Sequence, residues 1–135
     1  MRKWLILIPV ALLLTGCRPG IITQTQSPVV TQILVDGEYE DSEIYREYET
    51  SDKIRQILLY IRALRPRHSA NVDVELLEEP EIRIMLIHRD GAQKQYRLKA
   101  GRYLQSDGET WKKVDEKRVQ QLCQLLWELP GDVPN

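Results

Sequence analysis

Glu81-Ile82-Arg83-Ile84-Met85-Leu86-Ile87-His88-Arg89-Asp90-Gly91-Ala92-Gln93-Lys94-Gln95-Tyr96-Arg97-Leu98-Lys99 is the stretch whose reading decides the fold. Ile82, Ile84 and Leu86 alternate with Arg83, Met85 and Ile87. Successive side chains of a strand point to opposite faces, so this run makes a strand with one strongly apolar face. Tyr96 and Leu98 then alternate with Gln95, Arg97 and Lys99. Asp90-Gly91 lies between the two runs, and Asp-Gly favours a type I′ turn, which needs positive φ at both central positions. The stretch predicts an antiparallel hairpin.

Reading towards the C-terminus, Gly101 allows another turn and Tyr103-Leu104 continues as a strand. Asp107-Gly108 is a second Asp-Gly turn, leading to Trp111 and Val114. A meander of three or four antiparallel strands is expected. Asp115 is placed to cap a final helix, whose apolar stripe is Val119, Leu122, Cys123, Leu126 and Leu129. Pro130-Gly131 ends it, and residues 132–135 read as a frayed tail.

Reading towards the N-terminus, residues 69–80 form an acidic connection, and Glu78-Glu79-Pro80-Glu81 reads as a solvated charge run. Before it, Ile54, Ile57, Leu58, Ile61 and Leu64 follow helical spacing, with Thr50-Ser51-Asp52 as an N-cap cluster and Pro66 as the stop. Residues 29–35 are β-branched and apolar and end at Asp36-Gly37, a turn signal. Residues 44–50 make a second strand, with Tyr45 set against Glu47 and Glu49. The order is ββαβββ(β)α. The fold class is α+β: an antiparallel sheet of about 5–6 strands with two amphipathic helices packed on one face.

The first residues carry a different message. Arg2 and Lys3 precede an apolar run from Trp4 to Leu14, and Leu14-Thr15-Gly16-Cys17 closes it. That is the layout of a secretory signal peptide, and the run is too short to span a bilayer, which needs about 20 residues. Leu14-Thr15-Gly16-Cys17 resembles the lipobox of bacterial lipoproteins. The resemblance implies recognition of Leu14, Thr15 and Gly16 by a dedicated peptidase, a cut before Cys17, and diacylglycerol on the Cys17 sulfur. The rest is similar in style to small lipoproteins of Gram-positive bacteria, through features such as Asp90-Gly91 to Tyr96 and Gly108 to Trp111. The expected organisation is 1–16 signal peptide, 17–28 lipidated Cys and tether, and 29–135 one α+β domain. The tether segment after Cys17 reaches at most about 36 Å extended. The expected location is the outer face of the cell membrane, or the outer membrane of a Gram-negative host, where Arg18 in place of Asp favours that sorting.

Composition narrows the function. With 19 basic and 20 acidic residues the chain lacks the balance of a nucleic-acid binder. If Cys17 is lipidated, Cys123 has no partner for an internal disulfide, and its place on an apolar stripe reads as a small buried hydrophobe. His68 and His88 are too few for a zinc site, and there is no Gly-x-Ser-x-Gly and no Gly-rich phosphate loop. No catalytic residue, metal or cofactor is assigned.

Two surfaces remain as candidates. Lys53, Arg55, Arg62, Arg65 and Arg67 form a basic helix face that could lie on anionic headgroups. Tyr39, Tyr45, Tyr48 and Tyr60 stand among acidic residues, an acidic-aromatic patch suited to a protein partner. Trp111 and Trp127 read as core. The leading expectation is a non-enzymatic binding or accessory lipoprotein serving an envelope protein or peptidoglycan-associated partner. The alternatives are a small-ligand binder with a pocket between sheet and helices and, more distantly, a hydrolase.

Overall fold

The computed structural model describes residues 29–132. The elements are β1 (Val30–Tyr39), β2 (Ser42–Tyr48), α1 (Ser51–Arg62), a 3₁₀ turn (Val74–Leu76), β3 (Glu81–His88), β4 (Gln93–Lys99), β5 (Tyr103–Ser106), β6 (Lys112–Lys113) and α2 (Glu116–Glu128). The six strands form one antiparallel sheet in the order β2-β1-β3-β4-β5-β6. The fold is α+β, as the periodicities predict.

Register explains the layering. Ile33 pairs with Leu86 and Val35 with Ile84, while Ile82 pairs with Leu98, which in turn pairs with Leu104. These share one face of the sheet. Ile54, Ile57 and Ile61 of α1 and Val119, Leu122, Cys123 and Leu126 of α2 cover it, making a single core. Burying each such Ile or Leu contributes about 1.5–3 kcal/mol.

The opposite face is covered at one side by the 3₁₀ turn. Val74, Tyr103 and Trp111 make a second, smaller core there. Arg97 stitches it. Its guanidinium reaches both oxygens of Glu81, at 2.7 and 3.0 Å, and both of Glu75, at 2.8 and 3.0 Å. It also lies 5.0 Å from the Trp111 ring, and the Trp111 indole N–H donates to Glu75 at 3.1 Å. The 69–80 connection is therefore packed rather than merely solvated, and Glu81 is a half-buried partner of Arg97, not part of an exposed charge run.

Several local readings change. β1 runs through Asp36-Gly37 as far as Tyr39, because Gly37 is paired on both sides, with Ile44 and Ile82. Its φ is +149°, and a Cβ there would overlap the Glu81 carbonyl oxygen and lie 2.7 Å from Ile82 Cα. Glycine serves close strand approach here, not reversal. The chain turns instead at Glu40 (φ +50°) and Asp41 (φ +66°). Asp90-Gly91 does make a hairpin, but only Gly91 has positive φ, and His88 N–H bonds Ala92 O at 2.8 Å. That is a three-residue loop with a left-handed glycine rather than a type I′ turn. Ala100 (φ +60°) and Gly101 (φ +67°), and Asp107 (φ +47°) and Gly108 (φ +78°), do have both central residues left-handed.

In β2, residues two apart share a face. Tyr45 and Glu47 therefore lie together, Tyr45 O–H donating to Glu47 at 2.6 Å, while Ile44 and Tyr48 face the core. α1 ends three residues before Arg65, with Ala63 as its C-cap. Thr50 makes no side-chain cap bond. Asp132 from the presumed tail does the work: it accepts from Glu49 N–H and Thr50 N–H, each at 2.6 Å, and from Lys53 Nζ at 2.7 Å. Residue 132 is thus pinned, because two amides at the mouth of α1 and an ammonium all require an acceptor.

Candidate functional site

β1 is the axis on which the surfaces are arranged. Its first residue pairs with His88, and Arg89 N–H bonds Val29 O at 2.8 Å, so the chain enters beside the β3–β4 turn. Its last residue, Tyr39, lies at the other end. A Cβ added to Gly101 in the β4–β5 turn would sit 3.6 Å from the Tyr39 ring.

Tyr39 ends β1 on the helix-covered face, and α2 lays Gln120, Gln124 and Trp127 beside it. Gln120 and Gln124 are four apart and so share one side of the helix. Together with Glu40, Ser42 and Cys123 they line a hollow of about 410 Å³. A second hollow of about 290 Å³ shares Tyr39, Glu40 and Gln120 and continues past Pro80 to Gly101 and Glu116. The Tyr39 and Trp127 rings are tilted by 57° with centroids 6.1 Å apart, a favourable aromatic contact. Both are half-buried, so each keeps some ring surface open.

Burial governs the titratable groups of this hollow. Burial pushes the Cys123 thiol up to about 12, with Glu40 adding to the rise, so it is protonated at neutral pH. The Tyr39 hydroxyl is held above its ordinary value, first by burial and then by the proximity of the ionisable Cys123, Glu40 and Glu116 side chains. Aromatic faces, two carboxamides, a hydroxyl and a carboxylate provide shape and hydrogen bonds.

The other sequence candidates are dispersed. Tyr48 is fully buried, its hydroxyl pushed up to about 12 by desolvation and donating to Leu129 O at 2.8 Å. Tyr45 is exposed on the opposite sheet face, and Tyr60 lies at the groove between the helices with Leu59 and Leu125. The four tyrosines therefore form no single patch. The basic face is also divided. Lys53 binds Asp132, Arg55 pairs with Asp52 at 2.7 Å, and Arg62 is exposed. Arg65 and Arg67 lie beyond the end of α1 in a hollow with His68, Lys113 and Arg118. Trp111 is buried in the smaller core, whereas Trp127, expected in the core, packs at its edge and lines the Tyr39 hollow.

Gln120, Gln124, Lys113, Arg118 and Asp132 were invisible as site residues in the sequence, because only the sheet topology brings them to their neighbours. The i, i+4 spacing of Gln120 and Gln124 on the polar side of α2 was the one available signal. Asp36, Glu38, Glu43, Glu79 and Glu81 gather with Arg83 in an acidic trough of about 550 Å³. Among the described residues no group of three His, Cys, Asp or Glu is placed to hold a metal ion, and no helix is long and apolar enough to cross a membrane. Cys17, with Leu14, Thr15, Gly16 and the 17–28 tether, lies outside the described residues.

The class this geometry defines is an open antiparallel α+β sheet with two helices on one face. Comparison with known proteins finds no matching family model, no similar curated protein and no similar solved structure.

Proposed function

We propose that this chain is a lipid-anchored, non-enzymatic binding or accessory protein, held through Cys17 at the outer face of the cell membrane and contacting an envelope protein partner. The observation that carries the reading is the length of β1. Its 10 residues, at about 3.3 Å each, separate Val29 from the Tyr39–Trp127 hollow by about 30 Å. A chain tethered through the residues before Val29 therefore holds its aromatic and carboxamide groups away from the anchor. The two-chain-or-more lipid anchor implied by the lipobox resemblance gives stable attachment, where one acyl chain gives only reversible binding.

The test has two arms on the full chain in its native membrane. Mass spectrometry of the membrane fraction should find cleavage before Cys17 and a diacylglyceryl thioether; unmodified Cys17 in released protein overturns the anchoring. A photo-crosslinker at position 124 should give a discrete protein adduct that the same group at position 89 does not. Equal labelling from both positions, or none from 124, overturns the hollow as the contact surface.

One observation favours a second reading, a small-ligand-binding lipoprotein. The Tyr39–Trp127 hollow, at about 410 Å³, is within the size range of small-molecule sites. It lies between the β1–β2 turn and α2. A low-mass ligand copurifying with the chain and lost from a Trp127→Ala variant would select this reading over the first.

A further inference from the structure

We propose that the hollow between the end of α1 and the start of α2 binds a phosphodiester chain in the aqueous space remote from the anchor. Its cavity of about 270 Å³ is lined by Arg65, Arg67, His68, Lys113 and Arg118 over a floor of buried Leu64 and Val114. Elsewhere on the described surface five cations are paired with carboxylates: Lys53 with Asp132, Arg55 with Asp52, Arg83 and Arg97 with Glu81, and Arg102 with Glu116. Here Arg65, Arg67 and Lys113 have no carboxylate within ion-pair distance among the described residues, and Arg118 reaches Asp115 only at 4.0 Å. Asp115, the single acid of the hollow, is already engaged, accepting from Lys117 N–H at 2.9 Å as the cap of α2.

The loop carrying these cations is built, not loose. Lys113 N–H bonds His68 O at 2.8 Å, Ala70 N–H bonds Trp111 O at 2.9 Å, and Ser69 bridges Lys112. Pro66 stiffens the segment between the two arginines. Arg65 has a φ of +45°, a conformation that glycine takes freely and that arginine adopts against steric repulsion. Three guanidinium groups favour phosphate over carboxylate-only or neutral ligands, since their planar forks bond phosphate oxygens in pairs. The preference for a chain in solution over headgroups of the anchoring bilayer rests on the proposed tether, because Val114 N–H bonds Arg102 O in the β4–β5 turn, at the Tyr39 end of the sheet.

The test uses the full-length chain purified in neutral detergent, titrated with a soluble poly(glycerol phosphate) oligomer across a range of salt concentrations. Neutralising three or four phosphates should give a slope of log K against log salt of about −2 to −3. Arg65→Gly should weaken binding roughly three- to tenfold and make the slope shallower by about 0.7, with the melting temperature unchanged or raised. Lys113→Gln should act in the same direction, and Arg55→Gln, which removes the same charge from the outer side of α1, should bind like the parent. The proposal is overturned by absent binding at low salt, by an unchanged slope in both hollow variants, or by an equal loss in Arg55→Gln. Binding to phosphatidylglycerol vesicles without binding to the oligomer also overturns it, assigning the cations to lipid headgroups. Each readout is independent of whether Cys17 is lipidated.

Discussion

Asp132 accepts three hydrogen bonds from groups some 80 positions earlier in the chain, and its carboxyl is held well below the usual carboxylate range, chiefly by the Lys53 ammonium and then by the Glu49 and Thr50 amides. A carboxyl depressed on folding stabilises the native state above its unfolded value, near pH 3.9, and loses that contribution as pH falls through its folded value. Asp132→Asn should therefore melt at lower temperature than the parent at pH 7. The gap between the two should narrow progressively below about pH 4, as the parent's own carboxyl takes up its proton. Thermal melts at pH 7, 4 and 2 check this; a gap that stays constant would mean that charge plays no part. Gly37 is the second decisive residue. Gly37→Ala places a methyl group against the Glu81 carbonyl at a left-handed φ, and should destabilise the domain by about 2–4 kcal/mol in denaturant unfolding.

Elements differ in how plainly the sequence announces them. The β3–β4 hairpin was legible because Ile82, Ile84 and Leu86 repeat with period two, and both helices because their apolar residues repeat near 3.6. Turn chemistry was half legible. Asp90-Gly91 and Asp107-Gly108 both reverse the chain, yet identical dipeptides take different conformations, and Asp36-Gly37 makes no turn, since pairing on both sides overrides local preference. The 3₁₀ turn and its small core were hidden, because Val74, Tyr103 and Trp111 meet only through the sheet. Arg97 holds that element down with a fork no lysine reproduces. Arg97→Lys should cost about 1–2 kcal/mol of stability and red-shift Trp111 fluorescence as the indole loses its cover, with faster hydrogen exchange around Val74. Unchanged emission would show that the Arg97–Trp111 contact does not protect the ring.

Across the whole molecule, charge is sorted by position. The acidic trough uses Asp36, Glu38 and Glu43 of the first hairpin, whereas Arg65, Arg67, Lys113 and Arg118 collect where α1 ends and α2 begins. Asp36, Glu38 and Glu43 are near neighbours in the chain, so their charge is already gathered in the sequence. The basic hollow was not visible as a unit, because Arg65 and Arg118 are far apart in sequence. The clasp at Asp132 has a temporal meaning as well. Translation proceeds from the N-terminus, and a nascent chain that has not reached residue 132 lacks the acceptor that closes the mouth of α1. That clasp can close only once residue 132 has emerged, so the start of α1 is the part of the domain completed last during synthesis.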